Sequence, residues 1–378
     1  MQVIDATAPA VAGNVDKIVG VFYPTMFAKH PEAKALFNEE NQRSGQQPHA
    51  LAQSVLASVA HLQDLGAIDA ALRLIAHKHC AVGVQAAHYQ IVHDNFLGAT
   101  ATVLGDAVTP EVAAAWSQVL MALAGNLIAR EQALYSAAEH RSGGWAGCRP
   151  FRVTRVEAHG SVAKSITLAP ATDGVDAPSW TPGQFVTVVS KECAPRHYTI
   201  SSHCEFRITP KIHRASPDGT HPAGRMSSML DRCSVGDVLM LHAPFGDFTL
   251  KDRGCAHKTT PLVFVSGGIG VTPIVAIAND PLIADGGRRV AHFHCSATPL
   301  AAPLVAQVPA SVSVCGHRDI IDAIAPKLLA SGFALAECDF FVSGPIAMMQ
   351  AVFRRLKANG VGSAQLHFEA FSSQPTFE

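Results

Sequence analysis

The spacing of apolar side chains changes twice along this chain of 378 residues, and each change predicts a different kind of structure. Up to about Ala138, apolar residues recur every three or four positions, the period of a helix buried along one face. Ile18, Val19, Phe22, Met26 and Phe27 share one side of a helix predicted over Val15 to Ala28. Val55, Leu56, Val59 and Leu62 do the same over Leu51 to Leu65. Further helices are predicted over Leu72 to Cys80, Tyr89 to Leu104 and Ala113 to Tyr135. Pro48 suits a first helical turn, and Thr109-Pro110-Glu111 reads as a helix start with Thr109 as N-cap.

After Gly143-Gly144 the helical period stops. Phe151 to Val156, Ser165 to Leu168, Phe185 to Val189, Tyr198 to Ser201 and Phe206 to Ile212 are short β-rich runs broken by Pro and Gly, which predicts a small antiparallel barrel. From Pro261 strand-like runs alternate with helical ones: Leu262 to Val265, then near Ala291–His294, Val312–Val314, Phe340–Val342 and Leu366–Phe368. That alternation predicts a doubly wound parallel sheet. The expected divisions are residues 1–138, 148–255 and 258–378.

Bulk properties narrow the function without deciding it. A net charge of -1 gives no reason to expect nucleic acid or an acidic membrane as partner. Nine cysteines lie scattered without a C-x-x-C pair, against a zinc ribbon, iron–sulfur cluster or disulfide framework. No basic stretch leads into an apolar run at the N-terminus, and no apolar run is expected to span a membrane. A cytoplasmic monomer acting on small molecules is the expectation.

Three stretches carry chemistry. His77, His79, His88 and His93 are candidate iron ligands in the helical third, and spacing alone does not choose between His77 and His79. Arg196-His197-Tyr198-Thr199 matches the R-x-Y-[ST] signature of ferredoxin-reductase-like flavoproteins. There Arg196 would meet the FAD pyrophosphate, Tyr198 would lie against the isoalloxazine and Thr199 would bond near flavin N5. Gly224-Arg225-Met226-Ser227 reads as a helix start offering N–H groups to phosphate, so Gly224, Met226 and Ser227 join the candidate FAD site. Gly267-Gly268-Ile269-Gly270-Val271-Thr272-Pro273 ends a strand and opens a helix, where a nicotinamide dinucleotide can approach the backbone closely.

Phe22-Tyr23 with Met26-Phe27, Leu36-Phe37-Asn38, residues 41–47, Ile75 to His79 and Tyr89-Gln90-Ile91-Val92 resemble the globin domain of flavohaemoglobins in one register. The resemblance runs through the reductase motifs and covers nearly the whole chain. It implies an all-α globin, an antiparallel β-barrel FAD domain and an α/β doubly wound NAD(P)-binding domain. It also implies haem b, FAD and NAD(P)H as cofactors. His79 would be the iron ligand, with Tyr89 and Glu131 behind it. Tyr23 and Gln47 would hold oxygen, Leu51 would close the pocket, and Phe37 would pack on the haem. Phe185 would offer an aromatic face to the flavin where the family has tyrosine, and Phe371 would cover the ring. Lys78 and Glu369 would meet between the haem and flavin domains.

Departures from the pattern are Ser343 for the cysteine of the C-G-P turn, and Ala370, Ser372 and Ser373 near the end of the chain. The stretch before Ala6 is short, so the first helix is expected to start late. The activity implied is that of a nitric oxide dioxygenase, with electrons passing from NAD(P)H through FAD to haem so that oxygen converts nitric oxide to nitrate. An NAD(P)H reductase of other acceptors, and a haem-based oxygen or nitric oxide sensor, stand as alternatives.

Overall fold

A computed structural model describes residues 2–37, 46–61, 64–216, 218, 220, 222–255, 259–284, 287–296, 302–310, 312–316 and 320–371. The chain separates into two compact units, Met1–Glu139 and His140–Glu378.

The first unit is helical. Its elements are α1 (Gln2–Gly13), α2 (Val15–Lys29), α3 (Gln46–Ala60), α4 (Asp69–Val82), α5 (Ala86–Leu104) and α6 (Pro110–Glu139). The apolar stripe read from α2 is the stripe that is buried: Ile18, Val19, Phe22, Tyr23 and Met26 pack with Phe96 of α5 and Trp116 of α6. Thr109 caps α6 by accepting a hydrogen bond from Val112 N at 3.3 Å. Gly83 ends α4 in the left-handed conformation, at φ 84°.

Two expectations need correction here. The first helix does not start late: α1 begins at Gln2, buries Ile4 and Val11, and is tied in by Trp116 Nε1 donating to Thr7 Oγ1 at 3.0 Å. Its alanine-rich sequence gave little periodicity to read. One helix, α6, is also long and apolar enough to cross a membrane by length and composition. Many small alanines, rather than an unbroken run of large side chains, raise its hydropathy. Its Trp116, Val119, Leu120, Ala124, Leu127 and Glu131 are buried against the other helices of the unit.

Among the described residues, the second unit holds two sheets. Six antiparallel strands run in the order β4-β3-β6-β1-β2-β5: β1 (Cys148–His159), β2 (Ala163–Pro170), β3 (Phe185–Val189), β4 (Arg196–Thr199), β5 (Arg207–Ile208) and β6 (Val238–His242). A bridge between Ile200 and Ile208 joins the end of β4 to β5, bringing the two edges together as a barrel requires. The strand expected over Phe206 to Ile212 is only two residues long, because Pro210 has no N–H to extend the ladder. Helix α7 (Arg225–Arg232) precedes β6, a strand the sequence reading missed.

The other sheet is parallel, in the order β11-β10-β7-β8-β9: β7 (Leu262–Gly267), β8 (Val290–Cys295), β9 (Val312–Gly316), β10 (Asp339–Ser343) and β11 (Leu366–Glu369). Its helices include α8 (Val271–Ala278), α9 (Ile320–Ala330) and α10 (Ile346–Ala358). Val263, Val265, Ala291, Phe293, Phe340 and Val342 bury one face, while Leu262, Phe264, Val290 and Phe341 bury the other. Apolar cover on both faces explains why these strands read as continuous rather than alternating runs. Strand order reverses between β7 and β10, so the crevice for a ligand opens at their carboxyl ends.

Two imidazoles are buried beside β7. Ser266 Oγ lies 2.8 Å from both His292 Nε2 and His294 Nδ1. Burial holds His292 down to about 3 and His294 down to about 4. The unfolded histidines, with pKa near 6.5, bind protons that the folded ones refuse. Stability is therefore complete above pH 6.5 and falls as pH drops from there toward 4. His292→Phe is expected to flatten that decline, read as the urea midpoint of the chain between pH 7 and 4.5.

Candidate functional site

Position along α4 separates the histidines. Residues two apart on a helix differ by about 200°, so His77 and His79 cannot address the same ligand. His93 has both ring nitrogens engaged, Nδ1 with Asp94 at 2.7 Å and Nε2 with Ser117 Oγ at 2.8 Å. His88 accepts from Gln85 N at 3.0 Å and caps α5. His77 is buried in α4.

His79 has the geometry of a ligand. Its Nδ1 lies 2.8 Å from Glu131 Oε1 and 3.0 Å from the Tyr89 hydroxyl, and Tyr89 donates to the same carboxylate oxygen at 2.5 Å. A carboxylate accepts only, so Nδ1 carries the proton and donates. That leaves the Nε2 lone pair for a metal, with ring orientation and basicity set from behind. Glu131 is 3% exposed and its charge is accommodated by these donors. Burial, and then Glu131, push the Tyr89 hydroxyl well above its usual range, so it stays a donor.

Two neighbours were not read from the sequence. Tyr135 donates to Val84 O at 2.7 Å, just past the end of α4. The Cys80 thiol points to Glu131 O at 3.7 Å, and burial pushes it up to about 12, so it is no thiolate rival to His79. The i, i+4 spacing of Glu131 and Tyr135 on α6 was the available signal.

Tyr23 is buried in an aromatic group. Its ring centroid lies 4.7 Å from Phe22, 5.7 Å from Phe27 and 5.7 Å from Phe37. Leu51 packs partly buried against the same core. The Gln47 backbone lies in α3, and its side chain is outside the described residues.

In the barrel, alternation divides the flavin run. Register pairs Phe185 with Thr199 and Thr187 with His197, so Arg196 and Tyr198 share one face and His197 and Thr199 the other. His197 Nδ1 bonds Thr187 Oγ1 at 2.8 Å, and its ring lies 4.8 Å from that of buried Phe185. Arg196 is half-buried and Tyr198 is raised well above its usual range by burial. Met226 Sδ lies 4.0 Å from Cys193 Sγ, and Cys193 acts electrostatically on Tyr198, which places α7 beside this face. Ser227 Oγ donates to Gly224 O at 3.0 Å and accepts from His213 N at 3.1 Å, holding the helix start.

The glycine turn and β10 meet at the strand-order reversal. A Cβ on Gly270 would lie 2.4 Å from Ser343 O, and one on Gly267 would lie 2.5 Å from Met348 Sδ. These glycines let the turn press against Ser343-Gly344-Pro345. Gly268, at φ 51°, faces open space. Ile269 O accepts from Thr272 Oγ1 at 2.9 Å, and Val271 and Pro273 are buried in α8. Ser343 Oγ donates to Glu369 O at 3.2 Å, tying β10 to β11, and Phe371 is half exposed beyond. Lys78 and Glu369 belong to different units, and residues 372–378 lie outside the described residues.

Residues 21–127 match the Globin family model. Over 98% of its length the chain is 35% identical to a flavohemoprotein of Bordetella pertussis, covering 97% of that protein. Over 99% it is 34% identical to a flavohemoprotein of Chromobacterium violaceum, covering 98% of it. The chain belongs to the flavohaemoprotein family. The structure of a flavohemoglobin from Malassezia yamatoensis, which has bound FAD and heme, superposes with a TM-score of 0.82 at 26% identity, over 98% of both chains. The fold is thus a helical globin followed by a ferredoxin-reductase-like barrel and nucleotide-binding sheet, and this flavohaemoprotein is an NAD(P)H- and FAD-dependent oxidoreductase.

Gly270→Ala tests the crevice: it should raise the Kd for NADH at least tenfold, measured by flavin fluorescence quenching, with FAD content unchanged.

Proposed function

We propose that this flavohaemoprotein is a nitric oxide dioxygenase, in which one NAD(P)H supports conversion of two nitric oxide and two dioxygen molecules to two nitrates. The observation that carries the reading is the hydrogen-bonded group of part-buried His79 and Tyr89 on buried Glu131, in a chain whose second unit has a glycine turn at a strand-order reversal. When bound, haem b supplies iron for oxygen chemistry, and FAD divides the electron pair of a hydride into single electrons.

The chain's own residues do the rest. His79 Nε2 would hold the iron, while Glu131 and Tyr89 fix the proton on Nδ1 and make the imidazole a stronger donor. Strong electron donation from that side favours oxygen activation over simple carriage. Tyr23, buried among Phe22, Phe27 and Phe37, would offer its hydroxyl to a polarised diatomic ligand in surroundings that strengthen such a bond. Gln47 and Leu51 complete that pocket in this reading. Arg196 would hold the flavin pyrophosphate, Tyr198 would stack on the ring from the same strand face, and the α7 start would add backbone donors. Gly267 to Gly270 would seat NAD(P)H against Ser343-Gly344-Pro345. A cytoplasmic location belongs to the same reading, because NAD(P)H is supplied there.

The test is nitric oxide consumption under NADH in air. His79→Ala should abolish it while NADH–ferricyanide reduction, which needs only the second unit, continues. Equal consumption by both proteins overturns the dioxygenase reading in favour of a reductase of other acceptors.

Tyr23→Phe should speed oxygen loss from the reduced protein by tenfold or more in stopped-flow measurements, and an unchanged rate removes Tyr23 from its role.

A further inference from the structure

At the end of the parallel sheet opposite the glycine turn, three side chains converge with no role in the chemistry above. Asp339 opens β10, His367 is the second residue of β11, and Cys255 lies in the segment leading to β7. Cys255 Sγ is 3.5 Å from His367 Nε2, and Asp339 Oδ1 is 3.7 Å from the same nitrogen. All three donor atoms lie within 4.8 Å of one another, and all three residues are buried.

A catalytic triad would use both imidazole nitrogens. Here thiol and carboxylate approach one and the same nitrogen, so the three groups share a focus. Zinc–ligand bonds of roughly 2.0–2.3 Å in tetrahedral geometry put neighbouring donors about 3.3–3.6 Å apart, near the 3.5 and 3.7 Å found from His367 Nε2, with thiol and carboxylate within 4.8 Å of each other.

The Asp339 carboxylate and the Cys255 backbone are also held from behind, and the Cys255 thiol donates to Arg253 O at 3.4 Å. Thr260 Oγ1 donates to Asp339 Oδ2 at 2.8 Å, while Oδ1 is the oxygen that approaches His367. Cys255 N donates to Leu250 O at 2.7 Å, and Arg288 Nη1 donates to Cys255 O at 2.8 Å. The His367 ring rests 4.8 Å from that of Phe341, on the next strand.

We propose that Cys255, His367 and Asp339 form a binding site for one zinc ion, which pins the segment before β7 to the edge of the sheet. On binding, the Cys255 thiol gives its proton to solvent as the zinc–sulfur bond forms, and water takes the fourth position. Zinc with one thiolate and one carboxylate is a neutral unit, and a neutral unit can be buried. The guanidinium of Arg288 lowers the affinity below that of a zinc site with four protein ligands.

The experiment uses the full-length holoprotein, loaded with zinc sulfate and desalted. Elemental analysis should find one zinc per chain in addition to haem iron. The zinc K-edge spectrum should show one sulfur near 2.3 Å and two or three nitrogen or oxygen neighbours near 2.0–2.2 Å, as typical of zinc. Cys255→Ser should lose the sulfur shell and most of the zinc, while Cys148→Ser, an exposed thiol elsewhere, should keep both. Failure to retain zinc, a spectrum without sulfur, or undiminished zinc in Cys255→Ser overturns the proposal. Should Cys255→Ser fail to fold, Asp339→Asn takes its place, with loss of zinc expected and full retention overturning the site.

Discussion

The helical unit is organised around one buried carboxylate. Glu131 sits inside a long helix, where an unpaired charge would cost several kcal/mol. It is tolerated because His79 and Tyr89, from two other helices, point donors at the same oxygen. That requirement fixes the spacing of α4, α5 and α6 around the imidazole. The same bonds that make Glu131 tolerable leave the other nitrogen of His79 free to bind metal, so one arrangement serves folding and chemistry together.

The second unit has a corresponding constraint in its backbone. The turn after β7 and the turn after β10 must touch if a dinucleotide is to lie across both, and side chains would hold them apart. Gly267 and Gly270 remove the obstacle, to the point that a single added methyl group would meet Met348 or the Ser343 carbonyl. Glycine acts here through close approach rather than through unusual torsion angles, since neither residue has positive φ.

Much of this was legible in the sequence where a pattern had a period. The stripe of α2 announced its type and its buried face, and the apolar runs of β7, β8 and β10 announced their type. What failed was local and physical. Alanine-rich α1 lacks contrast between faces, Pro210 shortened a strand that its neighbours promised, and β6 shows no polar–apolar alternation because its exposed Val238 and Met240 are apolar. Residue chemistry was harder. His77 and His79 are indistinguishable by composition, and only the bonds from Glu131 and Tyr89 separate them. The residues flanking Cys255 give no spacing motif, because its companions come from strands more than eighty positions later in the chain.

Ser343 shows what a single atom changes. At the close of β10 its hydroxyl donates to the Glu369 carbonyl, a structural bond at a position where the resemblance implied a cysteine. Alcohols do not enter the sulfenic, nitroso or persulfide states open to a cysteine. The side chain that closes β10 is therefore one that peroxide and nitrosating agents leave unmodified, although the Met348 sulfur lies close to the same turn at Gly267.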